Sequence, residues 1–122
     1  MIFLDTSSII ELLAGTEQGR KISILIECDA VAVSAISVNE LLVGETKRKQ
    51  LILDFLKTCF IMPFDSEASY KSVEIEDKLR SSGKLIGKLD IFIAAICMSN
   101  EIPLLTFDHD FKNVDGLKLV SV

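Results

Sequence analysis

Short apolar runs alternate along the chain with longer stretches in which apolar residues recur every three or four positions, the signature of strands alternating with helices. The run Met1-Ile2-Phe3-Leu4 meets Asp5-Thr6-Ser7-Ser8, which reads as a strand followed by a helix cap. Ile9, Ile10, Leu12 and Leu13 give that helix its apolar face, and Gly15 is its expected stop. A second helix is predicted over 17–28, with Ile22, Leu25 and Ile26 turned inward. Residues 30–36, AVAVSAI, are small, β-branched and apolar, as a buried strand requires.

Ser37-Val38-Asn39-Glu40 matches a capping box and predicts a helix running on to about Lys49. A helix over 51–58, a strand over 60–64 and a long helix from Asp65-Ser66 to about Ser82 follow, closed by Ser82-Gly83. From Lys88 to Asn100 almost no polar face remains, so this helix is expected to be central and buried. Pro103-Leu104-Leu105 enters a short strand, residues 106–111 turn into a short helix, and Leu117 to Val122 is read as a closing strand. No linker or repeat interrupts the order. The expectation is an α/β fold with a mostly parallel sheet covered on both faces, built as one domain over 1–122.

Composition adds to this picture. Hydrophobic residues make up 49% of the chain, more than a small α/β domain needs for its core, and the excess is read as a dry interface such as a homodimer or obligate partner. The longest apolar run, Ile91 to Met98, is far short of the roughly 18 residues that cross a bilayer, so no membrane association is expected. Cys28, Cys59 and Cys97 show no metal-ligand spacing and lie in apolar contexts, where small buried thiols in a reducing cytoplasm are the ordinary reading. The net charge of −5 argues against a large sequence-independent grip on nucleic acid. Locally, Lys47-Arg48-Lys49 and the series Lys78, Arg80, Lys84 and Lys88 are basic, either as solvated helix faces or as a rim around an acidic pocket.

The chemistry rests on acids. Asp5, Glu40, Asp90 and Asp108 each lie near the junction of a strand with the helix that follows, or at a helix mouth, where ligands gather in open parallel sheets. Each also has a structural alternative: Asp5 as a helix cap, Glu40 as the third residue of a capping box, and Asp108 and Asp110 as turn residues. Asp90 is the hardest to explain structurally, because it stands between Leu89 and Ile91 at the mouth of a core helix. Help from the helix dipole, roughly 0.3–1 kcal/mol, is too small to stabilise a buried anion. A cation is the more sufficient partner.

The segments LDTSSII, SVNELL, GKLDIFIAAICMSN and PLLTFDHDF, in that order and spacing, resemble a PIN domain, and most closely the VapC-type toxins of prokaryotic toxin–antitoxin pairs. The resemblance spans essentially the whole chain, and its specific part is DIFIAA followed by TFDHDF. It implies a three-layer α/β/α sandwich and an endoribonuclease dependent on Mg²⁺ or Mn²⁺, which would hydrolyse RNA through the quartet Asp5, Glu40, Asp90 and Asp108. By the same likeness Asp5, Asp90 and Asp108 would hold metal, with Asp110 a near neighbour of Asp108. Glu40 would bind through water or orient the attacking water, and Thr6, Ser7 and Thr106 would supply hydroxyls beside the acids. Ser7 departs from the Asn that many relatives carry. A small antitoxin inserting a segment into the acidic groove is a further implication.

Two other enzyme classes fit less well. Aspartic proteases place Asp-Thr-Ser on an almost all-β fold, and haloacid-dehalogenase-like phosphatases need a second Asp where Ser7 stands. The stronger alternative is a PIN-like RNA- or protein-binding scaffold without significant nuclease activity.

Overall fold

The computed structural model describes residues 1–122. Four strands form one sheet: β1 (Ile2–Leu4), β2 (Val31–Ser34), β3 (Phe60–Met62) and β4 (Leu104–Leu105), in the order β3-β2-β1-β4 with every pair parallel. The helices are α1 (Thr6–Ala14), α2 (Glu17–Ile26), α3 (Ala35–Leu42), α4 (Lys49–Leu56), α5 (Ser66–Ser81) and α6 (Lys88–Ser99), followed by a 3₁₀ helix over His109–Asn113. None is long and apolar enough to cross a membrane.

Strand alternation sorts the core into two halves. Phe3, Ala32 and Leu104 face α5 and α6, where Ile75, Leu79, Ile91 and Ile93 to Cys97 close over them. Ile2, Leu4, Val31, Val33 and Leu105 face the opposite way, onto Ile9, Ile22, Leu41, Ile52 and Leu56 of α1 to α4. A one-residue slip between β1 and β2 would exchange these sets, so the pairing Ile2–Val31, Phe3–Ala32, Leu4–Val33 is fixed by burial on both faces. The three-layer α/β/α sandwich follows.

Local chemistry sets the helix ends. Asp5 caps α1 by accepting from the Ser8 N–H at 2.9 Å, and Gly15, at φ 66°, ends it. Asp65 caps α5 in the same way through the Ala68 N–H. Gly19 is demanded by packing. A Cβ there would lie 2.0 Å from the Glu11 carbonyl oxygen, so α2 crosses α1 at backbone contact.

Several expectations shift. The cap of α3 is Ser34, which accepts from the Ile36 N–H at 3.0 Å, so Ser37 lies inside the helix and Glu40 is not part of a capping box. That helix ends at Leu42, because Val43 is extended and Gly44 turns at φ 74°. In α2, Ile22 is buried but Leu25 is exposed. Of the three cysteines only Cys97 is buried, and Cys28 is exposed. The closing strand reduces to one parallel bridge, Leu104–Leu119, held by Leu104 N–H to Lys118 and Val120 N–H to Leu104.

Candidate active site

The carboxyl ends of β1, β2 and β4 and the N-terminus of α6 meet at one edge of the sheet, and each delivers an acid. Asp5 is the residue after β1 and is 4% exposed. Its Oδ1 accepts from the Ser8 N–H at 2.9 Å and, weakly, from the Ser7 hydroxyl at 3.4 Å. Its Oδ2 accepts a short bond from the Thr106 hydroxyl, just beyond β4. Thr106 Oγ1 in turn accepts from the Asp108 N–H at 3.0 Å, so one hydroxyl ties the Asp108 turn to the Asp5 carboxylate. The buried charge is satisfied by neutral donors alone and makes no ion pair.

Glu40 projects from α3 and is exposed, yet its Oε1 accepts from the Thr6 hydroxyl at 2.6 Å. Thr6 Oγ1 also lies 2.8 Å from the Oγ of Ser37, a buried residue. Asp108 is exposed and caps the 3₁₀ helix, accepting from the Asp110 N–H at 2.9 Å.

Asp90 stands in the first turn of α6, whose cap position is Gly87 and carries no side-chain capping bond. It is half-buried and has neither an ion-pair partner nor a hydrogen-bond donor from a side chain or backbone group. Burial pushes its carboxyl up to about 6, and the charges of Asp108, Asp5, Glu40 and Asp110 push in the same direction, in that order. Every member of the quartet is therefore within electrostatic reach of Asp90. Asp110 contributes too, as the weakest of the four.

The carboxylates are neighbours without forming a closed cage: no three His, Cys, Asp or Glu side chains are set close enough to share one ion. The donor set nevertheless fits a hard divalent cation, being carboxylate and hydroxyl oxygen throughout. Asp90 has no bond to hold it, and Asp108, though its Oδ1 is held by the Asp110 N–H, is exposed. A cation would offset both the burial and the repulsion that raise Asp90.

Two features escaped the sequence. Ser37, read as a cap, is a buried hydroxyl against Thr6. Cys97 is the buried thiol expected of its apolar context; what the sequence did not show is that the Asp5 charge acts on it, adding to burial in pushing the thiol far up and making it inert. The basic residues separate into two kinds. Arg80 and Lys88 both pair with Glu76, at 2.9 and 2.6 Å, whereas Lys47, Arg48 and Lys49 at the start of α4 make no ion pair. Between α1, α3 and α4 runs a groove of about 190 Å³ lined by Ile10, Leu13, Leu41 and Leu51 together with Glu40 and Arg48.

Residues 2–117 match the family model described as PIN domain. The chain is 31% identical to "Ribonuclease VapC" of Rickettsia bellii, over 99% of this chain and 96% of that protein. Among solved structures it is similar to VapBC2 from Rickettsia felis bound to a DNA fragment from its promoter, with a TM-score of 0.83 and 23% identity over 98% of both chains. It is also similar to a toxin–antitoxin complex from Klebsiella pneumoniae, with a TM-score of 0.79 and 26% identity over 99% of this chain and 97% of that one.

Proposed function

The chain belongs to the PIN domain family, and from that premise we propose that it is a VapC-type endoribonuclease, the toxin of a toxin–antitoxin pair, which hydrolyses RNA phosphodiester bonds with a divalent cation of the Mg²⁺ or Mn²⁺ kind. The observation that carries this reading is Asp90. A half-buried carboxylate with no donor and no counter-charge, raised to about 6 by burial and by four further acids, is unfavourable in a merely structural role and useful in a metal site.

In this reading Asp5, Asp90 and Asp108 hold the cation, which supplies Lewis acidity toward the phosphate and lowers the pKa of water. Asp5 is the fixed member, since three donors set its orientation. Asp90, which no bond holds, is the adjustable member, and Asp108 offers the carboxylate oxygen that its cap does not use. Glu40, held by Thr6, accepts a proton from, or orients, the attacking water at the open side of the site. Lys47, Arg48 and Lys49 are free to meet RNA phosphates, whereas Arg80 and Lys88 share the Glu76 carboxylate, which offsets one of their two charges.

The groove between α1, α3 and α4 suits the antitoxin. Its lining is mostly apolar and includes Glu40, so an amphipathic segment lying along it would bring a basic residue to that acid. Exposed Phe60 and Ile61 on the edge strand β3 are apolar surface that a second copy could cover. A scaffold without nuclease activity is disfavoured, because a binding surface gains nothing from four unneutralised acids at one edge.

The test is cleavage of RNA with Mg²⁺ or Mn²⁺ and then with chelator, for the parent, Asp5→Asn and Asp90→Asn. Each substitution should lower the rate at least ~100-fold, comparable with loss of a group that positions transition-state charge. If both variants cleave as fast as the parent, the site is assigned wrongly.

A further inference from the structure

Five polar or charged side chains are buried: Asp5, Ser8, Ser34, Ser37 and Ser72. Three of the serines serve the backbone. The Ser8 hydroxyl donates to the Leu105 carbonyl, Ser72 donates to the Ser69 carbonyl, and Ser34 accepts from the Ile36 N–H. Ser37 differs, since its one hydrogen bond is to a side chain, Thr6 Oγ1, at 2.8 Å.

Proton counting fixes the direction of that bond. A threonine hydroxyl has a single hydrogen. The Glu40 carboxylate can only accept, so at 2.6 Å the Thr6 hydrogen goes to Oε1. Ser37 must then be the donor to Thr6 Oγ1. Ser37 and Glu40 share a face of α3 at i and i+3, and Thr6, in the first turn of α1, stands across from both.

We propose that Ser37 is a positioning residue for the reaction: it donates to Thr6 Oγ1, and thereby anchors the hydroxyl that holds Glu40 in one rotamer over the acidic edge. The proposal rests on the reading of Glu40 as the residue that handles the attacking water. Glu40 is exposed on a helix, and such a side chain samples many rotamers unless a bond restrains it. Without Ser37, Thr6 Oγ1 loses the donor that anchors it from behind, and the bond to Glu40 alone is left to hold the Thr6 rotamer. A chain of hydroxyls of this kind also strengthens each bond through polarisation.

Two independent readouts test this. Side-chain three-bond couplings of Glu40 in the metal-free protein should report one rotamer in the parent and in Ser37→Thr, but an average in Ser37→Ala and in Thr6→Val. Single-turnover RNA cleavage should fall about tenfold in Ser37→Ala and recover to within about threefold in Ser37→Thr, as expected for lost orientation of a reacting group. Adding Ser37→Ala to Thr6→Val should cost nothing more, because both cut the same chain. A single Glu40 rotamer in Ser37→Ala, or rate losses that multiply in the double variant, would overturn the proposal. Should Ser37→Ala not fold, Thr6→Val breaks the chain from its other end. If the parent cleaves no RNA, the nuclease reading fails, while the couplings still decide whether Ser37 governs Glu40.

Discussion

Replacing Asp90 with Asn should stabilise the protein while destroying its activity. The parent carboxyl titrates at about 6 when folded, against 3.8 when unperturbed. At about 1.36 kcal/mol per pH unit, that difference makes ionised Asp90 unfavourable to folding by an upper bound of about 3 kcal/mol. The group is half-exposed and solvent screens its neighbours, so about 1–2 kcal/mol remains. The sign follows from proton uptake. Between roughly pH 4 and 6 the folded protein binds more protons than the unfolded chain, so stability contributed by this group is complete below pH 4 and is lost as pH rises through 6. An Asn carries no charge in either state. In chelator at pH 7.5, Asp90→Asn should therefore gain about 1–2 kcal/mol, a rise of roughly 3–8 °C in Tm for a domain of this size. The gain should vanish near pH 4. With Mg²⁺ at about 100 times its Kd the parent should recover about 2.7 kcal/mol by mass action, and the variant, lacking a ligand, much less. Urea unfolding at pH 4.0 and 7.5, with and without Mg²⁺, measures all four values. A variant less stable than the parent at pH 7.5 in chelator, or a gain independent of pH, would refute the electrostatic account of Asp90.

Three further outcomes follow from particular residues. Gly19→Ala places a methyl 2.0 Å from the Glu11 carbonyl oxygen and should cost about 2–3 kcal/mol in chemical denaturation; a neutral result would mean that α1 and α2 part freely. Thr106→Val removes the donor to Asp5 Oδ2 and should cost about 1–3 kcal/mol together with a weakened affinity for Mn²⁺, measured by calorimetry; unchanged affinity would make the bond purely structural. Reversing Lys47, Arg48 and Lys49 to Glu should weaken RNA binding and reduce the salt slope by about 2, at ~0.7 for each phosphate no longer neutralised, and an unaltered slope would put the RNA path elsewhere.

The parts of the fold that were legible are those decided by local pattern. An all-round apolar segment could only be a central helix, and α6 buries Ile91 and Ile93 to Cys97. Asp5 was legible as a cap, and it serves as one while also facing the other acids. Glu40 misled, because Ser37-Val38-Asn39-Glu40 satisfies the capping-box pattern one turn too late: the cap is Ser34, and Ser37 lies within the helix. The stop at Val43-Gly44 carried a signal in Gly44 that the charged run to Lys49 obscured. Arg80 meets Glu76 at i and i+4 within α5, a spacing visible in the sequence, whereas Lys88 reaches Glu76 from α6, and that bridge between two helices leaves no trace in sequence spacing. The same holds for Ser37 and Thr6, which are 31 residues apart.

The Thr106–Asp5 bond joins residues separated by 101 positions, and β1 lies in the middle of the sheet, between β2 and β4. During synthesis, at ~5–20 residues per second, the first strand therefore waits on the order of 5–20 s for the segment that completes its own edge. Until then the Asp5 carboxylate lacks its Oδ2 donor, and Asp108 does not yet exist. On the proposed site assignment, a half-made chain should not cleave RNA. Limited proteolysis of stalled nascent chains ending before and after β4 would show this as protection of Asp5 only in the longer set. For a nuclease in the cell that makes it, such a delay leaves a window in which an inhibitor can be made before the cutting edge is assembled.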